Sequence, residues 1–336
     1  MTDGDDMLAT DDALEALLRN APPRPMPADE DTAAVRDAVA AEWRDVTGRR
    51  RTRRRLVSLA AAATVLLAVG VTVSLLRVPS ALPVQVATID KTIGSIYLLG
   101  EQSQLQEMHN LAELTAGQVI VTGHDSGAGI TWINGGSLRV DEDTRVEFVS
   151  PEEILLRSGR VYFDSQPSSL QAGNTQSSVT GFAIRTEHGV VRHVGTQYMT
   201  GVDGGAMIIS VREGQVEVEG AYHDTRAKAG ERLTLAGSNR PTITNISSHG
   251  DDWRWVEQMA PAVSVDERSA YEFINWVARE SGLEVRFMTD AVEQRAHITM
   301  MAGSVDREPQ VALRILLQTT TLDSNIENGW IVISER

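Results

Sequence analysis

The sequence predicts a multi-domain protein. It has a short helical cytoplasmic arm, one transmembrane helix, an all-β domain of solenoid or sandwich type, and a small α/β domain at the C-terminus. Three observations predict this. Leu56 to Leu76 is a run of 21 residues without a charge, preceded by Arg49, Arg50, Arg51, Arg53, Arg54 and Arg55. Residues 86–235 alternate apolar and polar side chains in short runs between turn residues. The last 75 residues mix helical spacing with alternating runs. The expected boundaries are 1–48 for the arm, 49–77 for the basic flank and span, 78–240 for the β domain, 241–261 for a linker and 262–336 for the α/β domain.

The arm opens with Asp3, Asp5 and Asp6. Thr10 is placed to cap a helix with Asp11 and Asp12 in its first turn and Leu14, Leu17 and Leu18 as its apolar stripe. Pro22, Pro23, Pro25 and Pro27 break it, because proline has no N–H to donate. A second helix is expected from about Thr32 into the arginines. Val35, Val39, Trp43 and Val46 recur at helical spacing and form one narrow stripe, which fits either a juxtamembrane helix or a surface for a cytoplasmic partner.

A helix of 21 residues rises about 30 Å, the thickness of a hydrocarbon core. The arginines on one side, against a lone Arg77 on the other, predict a cytoplasmic N-terminus and a C-terminus across the membrane. The acidic leader of some 50 residues argues against a cleaved secretory signal.

In the β region, Ile130-Thr131-Trp132-Ile133, Arg160-Val161-Tyr162-Phe163, Ile208-Ile209-Ser210-Val211 and Val216-Glu217-Val218 show period-two alternation. Asn134-Gly135-Gly136, Glu187-His188-Gly189 and Ala229-Gly230 supply turn chemistry. Trp253 and Trp255 at the boundary suit inter-domain packing.

In the C-terminal domain, Ala270, Phe273, Ile274, Val277 and Ala278 mark a helix that ends at Gly282. Leu283, Val285 and Phe287 alternate as a strand, and His297 to Met300 read as another. Pro309 opens a second helix with Leu313, Leu316 and Leu317 inward. Asn328-Gly329 signals a tight hairpin. The closing hairpin, with Ile326, Trp330, Ile331 and Ile333, is the expected edge for a docking partner. The two folded domains are expected to have separate cores.

The net charge of −15 argues against direct nucleic-acid binding, which needs a basic face. With no cysteine there are no disulfides and no thiolate metal sites. No zinc-protease, nucleophile-elbow, P-loop or dinucleotide motif is present, so neither an enzyme nor a cofactor is expected. Asp141, Glu142 and Asp143 lack calcium-loop spacing and read as a solvated turn.

An ordered series of segments resembles the FecR domain of single-pass regulators of extracytoplasmic-function sigma factors. The series runs from Gly136-Ser137-Leu138-Arg139-Val140 through Val161-Tyr162-Phe163-Asp164, Phe182 to Thr186 and Val194-Gly195-Thr196-Gln197-Tyr198, then Val211 to Val218 and Ala229 to Leu233. Residues 262–336 resemble the secretin and TonB short N-terminal domain. The resemblance implies an inner-membrane signal transducer with its C-terminus in the periplasm. Its partners would be a sigma factor on the cytoplasmic side and a TonB-dependent outer-membrane receptor or other envelope protein outside, as in the regulation of iron transport. The arm departs from the family's usual sigma-contacting segment. The alternative is an envelope adaptor that docks periplasmic partners without sigma control. In several family members a Gly-Thr bond at the place of Gly195-Thr196 is cut by the protein itself, with His193 and Asp203 as candidate helpers here.

Overall fold

The structure is a computed structural model. It describes residues 15–16, 19–20, 29–43, 84–100, 104–108, 112–166, 181–220 and 223–336. The chain divides into two units, Met1–Ser80 and Ala81–Arg336.

In the first unit, residues 29–43 form a helix. The expected membrane-spanning helix has to be corrected out of the fold class. Among the described residues no helix is long and apolar enough to cross a membrane, and residues 56–76 lie outside them. What the structure displays is a mostly β chain with short helices.

In the second unit the described strands between Gln85 and Asn245 pair into one 15-stranded sheet. Its main path runs from Thr242–Asn245 through Glu231–Ala236, Ala206–Gly220, Gly189–Asp203, Ala183–Thr186, Glu153–Asp164, Ser137–Val140, Gly127–Trp132 and Gln85–Ile93 to Glu113–Thr115. Pairing is antiparallel except between Ala183–Thr186 and Glu153–Asp164. Apolar residues alternate inward along these strands and build the first core. Few aromatics are present, yet they gather here. Phe182 stacks on Phe163 with centroids 4.1 Å apart and meets Trp132 edge-on at 4.9 Å.

Residues 241–261, expected as a linker, are packed instead. A 3-10 turn at Asp251–Trp253 runs into the helix Arg254–Gln258. Trp253 and Val256 are fully buried and join Tyr162 and Met199 in a small cluster of their own.

Beyond it, a second core forms under the helices Ala270–Ser281, Asp290–Ile298 and Pro309–Leu317. The helix Ala270–Ser281 starts with a reciprocal cap. Ser269 Oγ accepts from the Glu272 amide at 3.2 Å, and the Ser269 amide donates to Glu272 Oε2 at 2.8 Å. The strand expected at His297–Met300 is a helix end. Thr289 caps the helix Asp290–Ile298, and Met300 makes only an isolated bridge to Ser269. This helix buries only Val292 and Ala296, so its periodicity is faint.

The three-stranded sheet has the order Glu284–Phe287, Trp330–Glu335, Leu322–Glu327. Asn328 and Gly329, at φ 51° and 83°, make the left-handed turn between the last two. The closing strand Trp330–Glu335 is therefore central, and the edge belongs to Leu322–Glu327.

Candidate functional site: a bulged Gly-Thr step beside a buried ion-pair seam

The strands Gly189–Asp203 and Ala206–Gly220 form a long antiparallel hairpin whose register shifts between Val194 and Gln197. The shift is a bulge, and Gly195-Thr196 lies in it. Gly195 has φ 58°, a conformation that favours glycine. Gly214 opposite it has no room for a side chain, since a Cβ there would collide with the Gly195 carbonyl oxygen and Thr196 Cγ2. The two strands thus meet at their glycines.

Thr196 is 2% exposed, and its Oγ1 has no hydrogen-bond partner among the described residues. A buried hydroxyl left unbonded costs about 1–3 kcal/mol. Its backbone is held firmly. The Thr196 amide donates to Ser165 Oγ at 2.8 Å, and the Ser165 amide donates to the Thr196 carbonyl at 3.0 Å. Gln197 Nε2 donates to Asp164 Oδ2 at 2.8 Å. Arg279, from the helix Ala270–Ser281, donates to Asp164 Oδ1 at 2.6 Å and to Glu213 Oε2 at 2.8 Å. The bulge therefore sets a buried hydroxyl next to the carbonyl of a left-handed glycine, with no base bonded to the hydroxyl among the described residues.

The two candidate helpers separate. Asp203 is exposed at the far end of the hairpin, seven residues from Thr196, which is on the order of 20 Å along a strand. His193 is closer but buried among Phe163, Phe182 and Tyr198, and it makes no hydrogen bond to Thr196. Burial pushes its pKa down to about 4, so the ring is neutral at pH 7.

Beside the bulge runs a seam of buried charge. Arg139 is 1% exposed and pairs with the Glu280 carboxylate. Its Nη1 also donates to the Val256 carbonyl at 2.7 Å. Burial works against the Arg139 charge, but Glu280, Tyr162 and Asp164 together outweigh it and raise the guanidinium pKa. Arg212 donates to the Glu280 backbone carbonyl at 3.0 Å and lies 4.3 Å over the Trp253 ring and 5.6 Å from the Tyr162 ring centre. Burial pushes the Tyr162 phenol far up. Glu257 is buried at the edge of the seam and accepts from Gln310 Nε2 at 2.9 Å. Its pKa is pushed up to about 7, mainly by burial.

The other expected residues fall in different places. Val35, Val39 and Trp43 are 65%, 52% and 67% exposed along one helix, and Val46 lies outside the described residues. Ile326 is 40% exposed on the edge strand. Trp330 is half-buried under the Arg286 guanidinium. Ile331 and Ile333 are fully buried in the second core and cannot touch a partner. Of the acidic triplet, Asp141 is buried and bonded to Arg160 Nε at 2.7 Å. Glu142 instead joins His124 and Asp125 on exposed turns, with ligand atoms within 4.8 Å of one another. These groups have the types to hold a cation, and here they pair among themselves.

The sequence reading missed Arg139, Arg212, Glu257, Arg279 and Glu280. On a strand such as Ser137–Val140 the polar position reads as solvent-facing, and only the docked α/β module turns that face inward.

The class is thus a β-sheet protein with an α/β module locked to it through a buried ion-pair seam. Residues 118–217 match the family model described as FecR protein. Two crystal structures of a candidate anti-sigma factor from Parabacteroides distasonis are similar to it, each at 17% identity and covering 65% of this chain. They are covered over 99% and 98% of their own length, with TM-scores of 0.32 and 0.31. No curated protein matches the sequence.

Proposed function

We propose that this protein regulates an extracytoplasmic-function sigma factor by binding it through the helical arm. The carrying observation is the stripe of Val35, Val39 and Trp43, each more than half exposed on one helix of a chain whose residues 118–217 match the FecR family model. Exposed apolar side chains at spacings of four residues suit a helix-in-groove contact. The role is one of binding; no small-molecule substrate is turned over. The inner membrane is the proposed place of work, supported by the arginine cluster and the uncharged run behind it. Cell fractionation tests that location.

Trp43→Ala is the direct test. In co-purification of the full chain with the cell's extracytoplasmic-function sigma factors, expressed one at a time, it should weaken capture about thirtyfold or more. That is the loss typical of an aromatic anchor, about 2 kcal/mol or more. If the parent chain captures none of them, the sigma reading falls. An outer-membrane receptor as the second partner belongs to the same proposal.

The Gly195-Thr196 bond is proposed as a self-cleavage site, supported by the unbonded Thr196 hydroxyl and the left-handed Gly195. Thr196 Oγ1 adds to the Gly195 carbonyl carbon. The C–N bond breaks, and the hydroxyl proton ends on the Thr196 nitrogen. Water hydrolyses the resulting ester, leaving a Gly195 carboxylate and a free threonine amino terminus. Thr196→Ala should remove the cleaved fragments seen on a denaturing gel.

A further inference from the structure

The C-terminal module reaches the Gly195-Thr196 step through one side chain. Arg279 bonds Asp164 on one neighbouring strand and Glu213 on the other. Asp164 in turn accepts from Gln197, and the next residue, Ser165, makes both backbone bonds to Thr196. Glu213 precedes Gly214, the residue packed against the Gly195 carbonyl. Besides the ladder pairs of the hairpin, these polar restraints pass through a residue that Arg279 holds or through its immediate neighbour.

We infer that Arg279 is a positioning residue for the Gly195-Thr196 bond, acting through Asp164 and Ser165 to hold the Thr196 amide. The inference rests on the self-cleavage reading for its consequence but not for its geometry. Arg279 touches neither Thr196 Oγ1 nor the Gly195 carbonyl, so it sets the frame and does no chemistry. The arrangement makes the bond sensitive to the state of the α/β module. A shift of the helix Ala270–Ser281 would move Arg279 against Asp164 and Glu213.

The test uses the full chain with Arg279→Ala and Arg279→Lys, and Arg295→Ala as a control. Arg295 lies in the same module and forms an exposed pair with Glu335 at 3.5 Å. Two readouts are taken, hydrogen exchange of the peptide containing the Thr196 amide and the fraction of chain cut at Gly195-Thr196. Arg279→Ala should exchange about tenfold faster and be cut at least tenfold more slowly, since a misplacement near 1 Å costs roughly that or more. Arg279→Lys should recover part of both, and Arg295→Ala should match the parent. Exchange and cleavage unchanged in Arg279→Ala would overturn the inference. Faster exchange in Arg279→Ala, with a parent that is never cut, would leave the clamp standing and remove the self-cleavage reading. If Arg279→Ala does not fold, Asp164→Asn, which keeps the shape and loses the charge, must show the same two changes or the inference fails.

Discussion

Arg139 and Glu280 form a fully buried ion pair between the two folded parts of this protein, and the pair is asymmetric in its energetics. Removing one partner strands the other charge in a dry seam, which commonly costs about 3–5 kcal/mol, whereas replacing both with apolar residues is often near neutral. Arg139→Ala is therefore expected to lose about 3–5 kcal/mol in urea unfolding, and Arg139→Leu with Glu280→Leu much less. A double variant no better than the single one would mean that the seam needs the ions themselves.

Two other buried groups set opposing pH slopes. His193 has a folded pKa depressed from 6.5 to about 4, so its contribution is present above 6.5 and is lost as pH falls toward 4. Glu257 has a folded pKa raised from 4.5 to about 7, so its contribution is present below 4.5 and is lost as pH rises toward 7. Between about 4.5 and 6.5 the two slopes nearly cancel. Glu257→Gln should expose the histidine slope, with Tm rising across that window. His193→Phe should expose the reverse. Flat profiles in both variants would show that neither group is buried as described.

At the scale of elements, the closing hairpin carries the sharpest contrast. Trp330–Glu335 is flanked on both sides, by Glu284–Phe287 and by Leu322–Glu327. Ile331→Pro therefore removes a ladder donor and a buried side chain from a central strand, a loss of about 3–5 kcal/mol. Limited proteolysis should find the module unfolded. Ile326→Ser, on the outer strand, should cost under about 1 kcal/mol. It is the better probe of strand addition by a partner. Should Ile331→Pro leave the module protected, the sheet order given above is wrong.

Across the whole molecule, two cores joined by a third small cluster behave as one unit from Ala81 to Arg336. Deleting residues 262–336 leaves Arg139 without Glu280 and Asp164 without Arg279. The truncated chain should lose about 10 °C in Tm, from ~3–5 kcal/mol at roughly 2–4 °C per kcal/mol. A truncated form with the parent Tm would make the module a detachable appendage.

Much of this was determined by local chemistry. Period-two alternation marked the strands because one face of a sheet is apolar whatever covers the other. The capping and turn residues at Ser269, Pro309 and Asn328-Gly329 act within a few residues, so they could be read directly. Gly195-Thr196 was legible as a pair of residue types, but not its bulge, its unbonded hydroxyl or its lack of a base. The helix Asp290–Ile298 escaped because only Val292 and Ala296 face inward. The position of Ile331 escaped because a hairpin's sequence does not say which of its strands a third strand will join. Above all, Arg139, Arg212, Arg279 and Glu280 look like ordinary surface charges. They meet where the module packs on the sheet, across more than 60 residues of chain, and such a contact leaves no period in the sequence on either side. Only the tertiary structure decides which polar face of the sheet is dry, and with it which charges hold the Gly-Thr step in place.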